Sequence, residues 1–256
     1  MDKDKFRELV QVMDKLRSAN GCPWDKEQTH KSLRQYLLEE TYEVLESIDQ
    51  NDPNSLKEEL GDLLLQVVFH AQIADESQQF NVDDVIDSIV DKLIRRHPNV
   101  FGDQKIDTAE EQKQNWEKIK RNEGRKSVIG GVPKQLPSLL RAIRIQEKVA
   151  HVGFDWTLID DVWTKFEEEI SELHQAISNK NQDEIEEEMG DVLFTLVNIS
   201  RFLKINPEDA LRSTIEKFIY RFQKLEQRIE SQNKNIEECS LAEMDDIWNQ
   251  IKNLEP

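Results

Sequence analysis

Apolar residues recur along the chain at spacings of three and four, the period of a helix that buries one face. Phe6, Leu9, Val10, Met13 and Leu16 mark a first helix, and Leu33, Leu37, Leu38, Tyr42, Leu45 and Ile48 a second. Leu60, Leu63, Leu64, Val67, Val68 and Ala71 mark a third, and Val82, Val85, Ile86, Ile89, Val90 and Leu93 a fourth. Asn20-Gly21 with Pro23, Asn51-Asp52-Pro53 and the stretch 79–81 supply turns between them. The pattern restarts over 139–149, 162–177, 185–203 and 210–229, with Pro207 just inside the start of the last, where a helix tolerates proline. No stretch alternates with period two, so the expected fold class is all-α. Residues 122–138 (NEGRKSVIGGVPKQLPS) break the pattern with paired glycines and two prolines. They are expected to link a domain over 1–121 to a second over 139–256.

The two halves repeat one another. LLEETYEVLESI (37–48) matches FEEEISELHQAI (166–177), and LKEELGDLLLQVVFHA (56–71) matches IEEEMGDVLFTLVNIS (185–200), both at an offset of 129 residues, Leu37 against Phe166. DKLIRRH (91–97) matches EKFIYRF (216–222), and WEKIK (116–120) matches WNQIK (248–252). Unrelated amphipathic helices would not keep this order and register, so the chain reads as a duplication.

The repeat carries an acidic core: Glu40, Glu43, Glu59 and Asp62 in the first half, and Glu169, Glu172, Glu188 and Asp191 in the second. Each pair is spaced i, i+3, which puts both carboxylates on one helix face. The gap between pairs lets one helix end and another return, so the pairs face each other across a hairpin. Like charges at ~4 Å cost roughly 4 kcal/mol per pair at an effective dielectric of about 20. A hard divalent cation is the natural counter-charge, and oxygen donors favour Mg²⁺, Mn²⁺ or Ca²⁺ over zinc. One such pair alone would read as a solvated helix face; its recurrence at fixed spacing argues against that. Gly61 and Gly190 recur beside Asp62 and Asp191, and a mid-helix glycine costs about 1 kcal/mol against alanine. Close packing or backbone approach is expected there.

Lys92 and Arg96, repeated as Lys217 and Arg221, either hold terminal phosphates or pair with surface acids. Trp116 and Trp248, late in each half, either stack on a base or plug a core gap. Cys22-Pro23-Trp24-Asp25 reads as a turn packing Trp24 on the helices.

Charge narrows the partners. The 256 residues carry a formal net charge of −18, which disfavours nucleic acid and anionic membranes. A polyanionic substrate then needs a cation to bind. Two distant cysteines and five histidines without ligand spacing argue against a disulfide framework or a zinc site. The charged start, MDKDKFRELV, lacks an apolar leader core, and no run is long enough to span a bilayer, so a cytoplasmic protein is expected. Neither a P-loop nor a covalent nucleophile is evident.

These motifs resemble the MazG family of all-α nucleoside triphosphate pyrophosphohydrolases over nearly the whole chain. The resemblance rests on GCPWDKEQTHKSLRQYLLEETYEVLESI, EELGDLLLQVVFHA and RRHPNVFGD in the first half. In the second it rests on VGFDW, EEEISEL, EEEMGDVLFTLVNISRFL and Trp248. It implies four-helix-bundle units completed by homodimerisation, and Mg²⁺-dependent cleavage of nucleoside triphosphates to monophosphate and pyrophosphate. It makes Glu169, Glu172, Glu188 and Asp191 metal ligands, with Glu40, Glu43, Glu59 and Asp62 their counterparts. It makes Lys165 to Glu169 (with Glu168), Glu184 to Glu187, Asp191, Lys217, Arg221 and Trp248 nucleotide contacts, with Lys92, Arg96 and Trp116 the first-half equivalents. Glu168 and Glu187, beside the ligands, are candidate water activators, and the family's preference places the working site in the second half. Alternatives are a dUTP- or phosphoribosyl-ATP-specific enzyme on the same scaffold, and a non-catalytic nucleotide-sensing helical dimer.

Overall fold

The computed structural model describes residues 5–109, 111, 112, 115, 116, 119, 123 and 127–254. The chain divides into two compact units, Met1–Thr108 and Ala109–Pro256. The expected domain end at 121 and linker start at 122 lie outside the described residues. Among the described residues there is no strand, and no helix is long and apolar enough to cross a membrane.

The first unit contains α1 (Lys5–Arg17), α2 (Pro23–Glu27), α3 (Arg34–Asp49), α4 (Pro53–Glu76), α5 (Val82–Arg96) and the short α6 (Pro98–Phe101). Helices α3 and α4 form a hairpin, and α1 packs on α4. The hairpin starts its second arm where the sequence places a stop and a cap. Asp52 accepts hydrogen bonds from the Asn54 and Ser55 amides at 2.9 and 3.3 Å, and Pro53 takes the first helical position, where no amide is needed. A capping box between Asn81 and Asp84 starts α5. The core is Met13, Leu33, Val68 and Phe69, with Phe6, Leu9, Val10, Leu16 and Tyr36 packed around it. Arg17 locks the edge of this core. Its guanidinium pairs with Glu76 at 2.7 Å, lies over the Phe69 ring, and donates to the Asp25 and Gln28 carbonyls.

The second unit contains α7 (Ser138–Ala150), α8 (Ile159–Asn179), α9 (Gln182–Phe202), α10 (Pro207–Ser231), a 3₁₀ turn (Ile236–Glu238) and α11 (Leu241–Leu254). The α8–α9 hairpin repeats α3–α4; α7 packs on α9 and α10, and α11 on α10. Val162, Leu173 and Ala176 from α8 and Val192, Val197 and Ile199 from α9 are buried. A second cluster joins Leu225 and Ile229 of α10 to Ile251 of α11. The chain is poor in glycine, and several helices end on larger residues in the left-handed region: Asn51, Gln78, Lys180, Lys204 and Asn233.

Two expectations need correction. Leu38, Tyr42, Leu60, Leu64, Val67, Ile86, Ile89, Val90 and Leu93 read as core, yet all are exposed, and no residue of α5 is buried. The cause is geometric. Both hairpin helices are apolar on two sides; one side meets the hairpin partner and α1, and no described residue of the unit buries the other. The second unit repeats this with Met189, Leu193, Phe194 and Leu196 on α9 and Leu211, Ile215, Phe218 and Ile219 on α10. The mid-helix glycines are not crowded either: a Cβ added at Gly61 or Gly190 meets nothing within 4 Å.

Candidate active site

Each hairpin gathers carboxylates from its two arms. In the second unit Glu169 and Glu172 project from α8 and Glu188 from α9, with one carboxylate oxygen from each lying within 4.8 Å of the others. Glu40 and Glu43 of α3 and Glu59 of α4 do the same in the first unit. Asp62 and Asp191, one helical turn along from Glu59 and Glu188, stand outside these triads yet close enough to act on them electrostatically.

The triads are electrostatically strained. Desolvation by the hairpin walls, followed by the charges of Glu172, Asp191, Glu169 and Glu187, pushes the Glu188 carboxyl above the ordinary carboxylate range. Glu172 is raised by desolvation and then by its hydrogen bond with Glu169. In the first unit Glu40 and Glu59 are raised, again by desolvation first and then by their acidic neighbours. These groups resist full ionisation together, the signature of a site that wants a cation. The donor chemistry fits a hard divalent ion. Each triad offers only carboxylate oxygens, the donors that hard divalent cations take.

The two sites differ in one cation. Lys165 sits one turn before the α8 carboxylates and pairs with Glu168 at 2.8 Å and with Glu169 at 2.9 Å. Hydrogen bonds to those two glutamates raise its pKa, and Glu169, only 6% exposed, is held in place by it. The repeat-equivalent residue in the first half is Tyr36, whose ring packs edge-on against Trp24 with centroids 5.7 Å apart. Tyr36 lies one position outside the matched segments, and its packing against Trp24 and the first-unit core shows that it belongs to the core instead of the site.

Other candidate residues lie elsewhere. Glu168, Glu184 and Glu187 are exposed on the same hairpin as the triad. Lys217 and Arg221 lie on α10, Lys217 exposed and Arg221 half-buried; no ion pair joins Lys217 to the triad among the described residues. Lys92 and Arg96 are half-buried on α5, and Trp116 is half-buried and helical. Trp248 of α11 packs on Phe218 with ring centroids 5.2 Å apart and borders the α10–α11 core.

The MazG nucleotide pyrophosphohydrolase domain matches this chain twice, over residues 28–101 and 162–225. The chain belongs to the MazG family. A Thermotoga maritima relative, the nucleoside triphosphate pyrophosphohydrolase/pyrophosphatase MazG, is 50% identical over 250 residues, covering 96% of this chain and 95% of its own length. An Escherichia coli K12 relative named nucleoside triphosphate pyrophosphohydrolase is 43% identical over 256 residues, covering 96% and 97%. A crystal structure of a MazG-related protein from Thermotoga maritima is 30% identical, with a TM-score of 0.39, and covers 45% of this chain and 98% of that one. Each matched MazG segment of this chain contains one complete carboxylate triad.

Proposed function

We propose that this MazG protein hydrolyses nucleoside triphosphates, with broad tolerance for NTPs and dNTPs, to a nucleoside monophosphate and pyrophosphate at the Glu169–Glu172–Glu188 centre. The reading is carried by a carboxylate triad on a helical hairpin, repeated in both MazG segments, in a chain near half identity to relatives named for that reaction. Mg²⁺, with Mn²⁺ as an alternative, is the cation the oxygen donors fit; when bound, it neutralises charge on the triad and on the polyphosphate. The triad residues hold that cation, and Asp191 lies one turn away to extend the shell.

The protein's own groups supply the rest. Water adds to the α-phosphorus and the bond to the bridging oxygen breaks, so that pyrophosphate leaves. The proton passes to an exposed carboxylate beside the triad, Glu168 or Glu187. Lys165 holds Glu169 in place through their ion pair, and its charge faces the polyphosphate. Lys217 and Arg221 neutralise the leaving pyrophosphate once α10 or its counterpart in a second copy closes the site. The uncovered apolar faces of α9 and α10 support a homodimer as the working state. The charge of −18 and the absence, among the described residues, of a membrane-crossing helix support a cytoplasmic enzyme with no nucleic-acid partner.

Incubation of the full chain with each NTP and dNTP plus Mg²⁺, with products resolved by phosphorus NMR, tests this. Monophosphate and pyrophosphate are expected; diphosphate with phosphate, or no turnover, would refute it. Glu172→Gln is expected to lower kcat by at least about 100-fold, the scale of losing a central electrostatic group. Glu43→Gln is expected to leave most activity, because Tyr36 denies its cluster the lysine. Full activity in both variants would sink the carboxylate assignment.

A further inference from the structure

The second unit holds a cleft of about 550 Å³ away from the carboxylates, lined by Leu140, Ile143, Arg144 and Glu147 of α7 and by Arg201, Lys204, Ile205 and Asn206 at the α9–α10 corner. Its size falls within the range of roughly 300–1,000 Å³ usual for small-molecule sites. On α9, Arg201 lies ten residues beyond Asp191, about 15 Å along the axis. The cleft and the triad therefore occupy different stretches of the helix.

The wall of this cleft runs against the character of the chain. In a protein of net charge −18, it presents three cations and one carboxylate. Arg201 is fixed: it pairs with Asp155, donates to Asn198 at 3.0 Å, and its guanidinium lies over the Phe202 ring. Arg144 reaches Glu147 at 2.6 Å and stays half-exposed, so it can turn to a better acceptor. Lys204 makes no ion pair among the described residues. Leu140, Ile143 and Ile205 give the cleft an apolar side. With Glu147 set against Arg144 and Asp155 against Arg201, Lys204 leaves an excess of positive charge beside an apolar wall, which suits an anion that carries an apolar face.

We propose that this cleft binds a phosphomonoester whose body presents an apolar face, as the base of a nucleoside monophosphate does. Arg144 and Lys204 grip the phosphate, Arg201 is held by Asp155 as a fixed wall, and Leu140, Ile143 and Ile205 hold the body. The site needs no metal, which separates it from the triad: without a divalent cation, the carboxylates repel a phosphate.

The test uses the full chain in chelator, titrated by calorimetry with inorganic phosphate and, separately, with adenosine monophosphate. Saturable binding of both is expected, with the nucleotide about ten-fold tighter because only it reaches the apolar wall. Lys204→Asn and Arg144→Gln are each expected to weaken binding at least about five-fold. Asparagine suits the left-handed backbone at Lys204, φ 59°, and Lys204→Gly provides a second variant with the same backbone tolerance. Glu172→Gln is expected to bind as the parent does. No saturation by about 10 mM, unchanged binding in the Lys204 and Arg144 variants, or loss of binding in Glu172→Gln would each overturn the site. Equal affinity for phosphate and nucleotide would overturn the apolar half of the assignment. Because the readout is metal-free binding, its failure is distinct from failure of the hydrolase reading.

Discussion

A lysine one turn before two glutamates pairs with both and orients the buried one. Lys165 does this for Glu168 and Glu169. Lys165→Met keeps the side-chain length and removes the charge. We expect it to lower kcat/KM by about 10- to 100-fold with little change in melting temperature; unchanged kinetics would show that the lysine is only a surface ion-pair partner. A second residue-scale device is the pair His30 and His70, whose Nδ1 atoms lie 2.8 Å apart with near-parallel rings. That contact accommodates one proton, and desolvation followed by the His30 charge lowers the His70 pKa. Because the folded state holds His70 below its ordinary value, the unfolded chain takes up the proton first. Stability is therefore full above the ordinary histidine range and declines as pH falls through it. Urea midpoints measured from about pH 7 to about pH 5 should fall for the parent and fall less for His70→Phe; equal slopes would refute the coupling. The triads were legible in the sequence because spacing alone puts i and i+3 on one face. The Arg201–Asp155 and His30–His70 contacts were not, because each joins residues some 40 or more positions apart with no repeat to flag them.

At the scale of elements, three helix starts follow directly from local chemistry. Asp52-Pro53, Asn81 with Asp84, and Asn206-Pro207 place their caps where side-chain oxygens meet free amides. Asp52→Ala is expected to cost about 1 kcal/mol, read as a lower urea midpoint with an unchanged slope, since only the start of α4 is affected. A change in slope would point instead to a loosened hairpin. Helix existence and period were readable because they depend on neighbours within a turn or two. Which stripe becomes interior was not. Leu38 and Val68 look alike in the pattern, yet one is exposed and the other is in the core, because burial depends on what packs opposite. The glycines made the same point: a mid-helix Gly signalled close approach, and the space around Gly61 and Gly190 is open within the chain.

For the whole molecule, the uncovered apolar faces set the expected state of assembly. Soluble monomers rarely expose contiguous apolar patches beyond a few hundred Å², and each unit presents such residues on neighbouring helices. The full chain is expected to sediment as a dimer, and Leu193→Glu, which places a charge on the exposed α9 face, should shift it to monomer and reduce hydrolysis with it. A parent that sediments as a monomer at working concentration would remove the dimer from the proposal. The duplication itself was legible from register. The difference in packing between the halves was not, because Tyr36 lies edge-on against Trp24 where Lys165 pairs with Glu168 and Glu169.

The left-handed helix ends have a practical consequence. Asn51, Gln78, Lys180 and Asn233 hold a conformation that glycine adopts without steric cost and other L-residues adopt at roughly 1–2 kcal/mol. Glycine also enlarges the freedom of the unfolded chain, which offsets part of any gain. These corners are thus adjustable joints: positions outside both triads where thermal tolerance can be tuned in small steps, up or down, by a directed-evolution campaign.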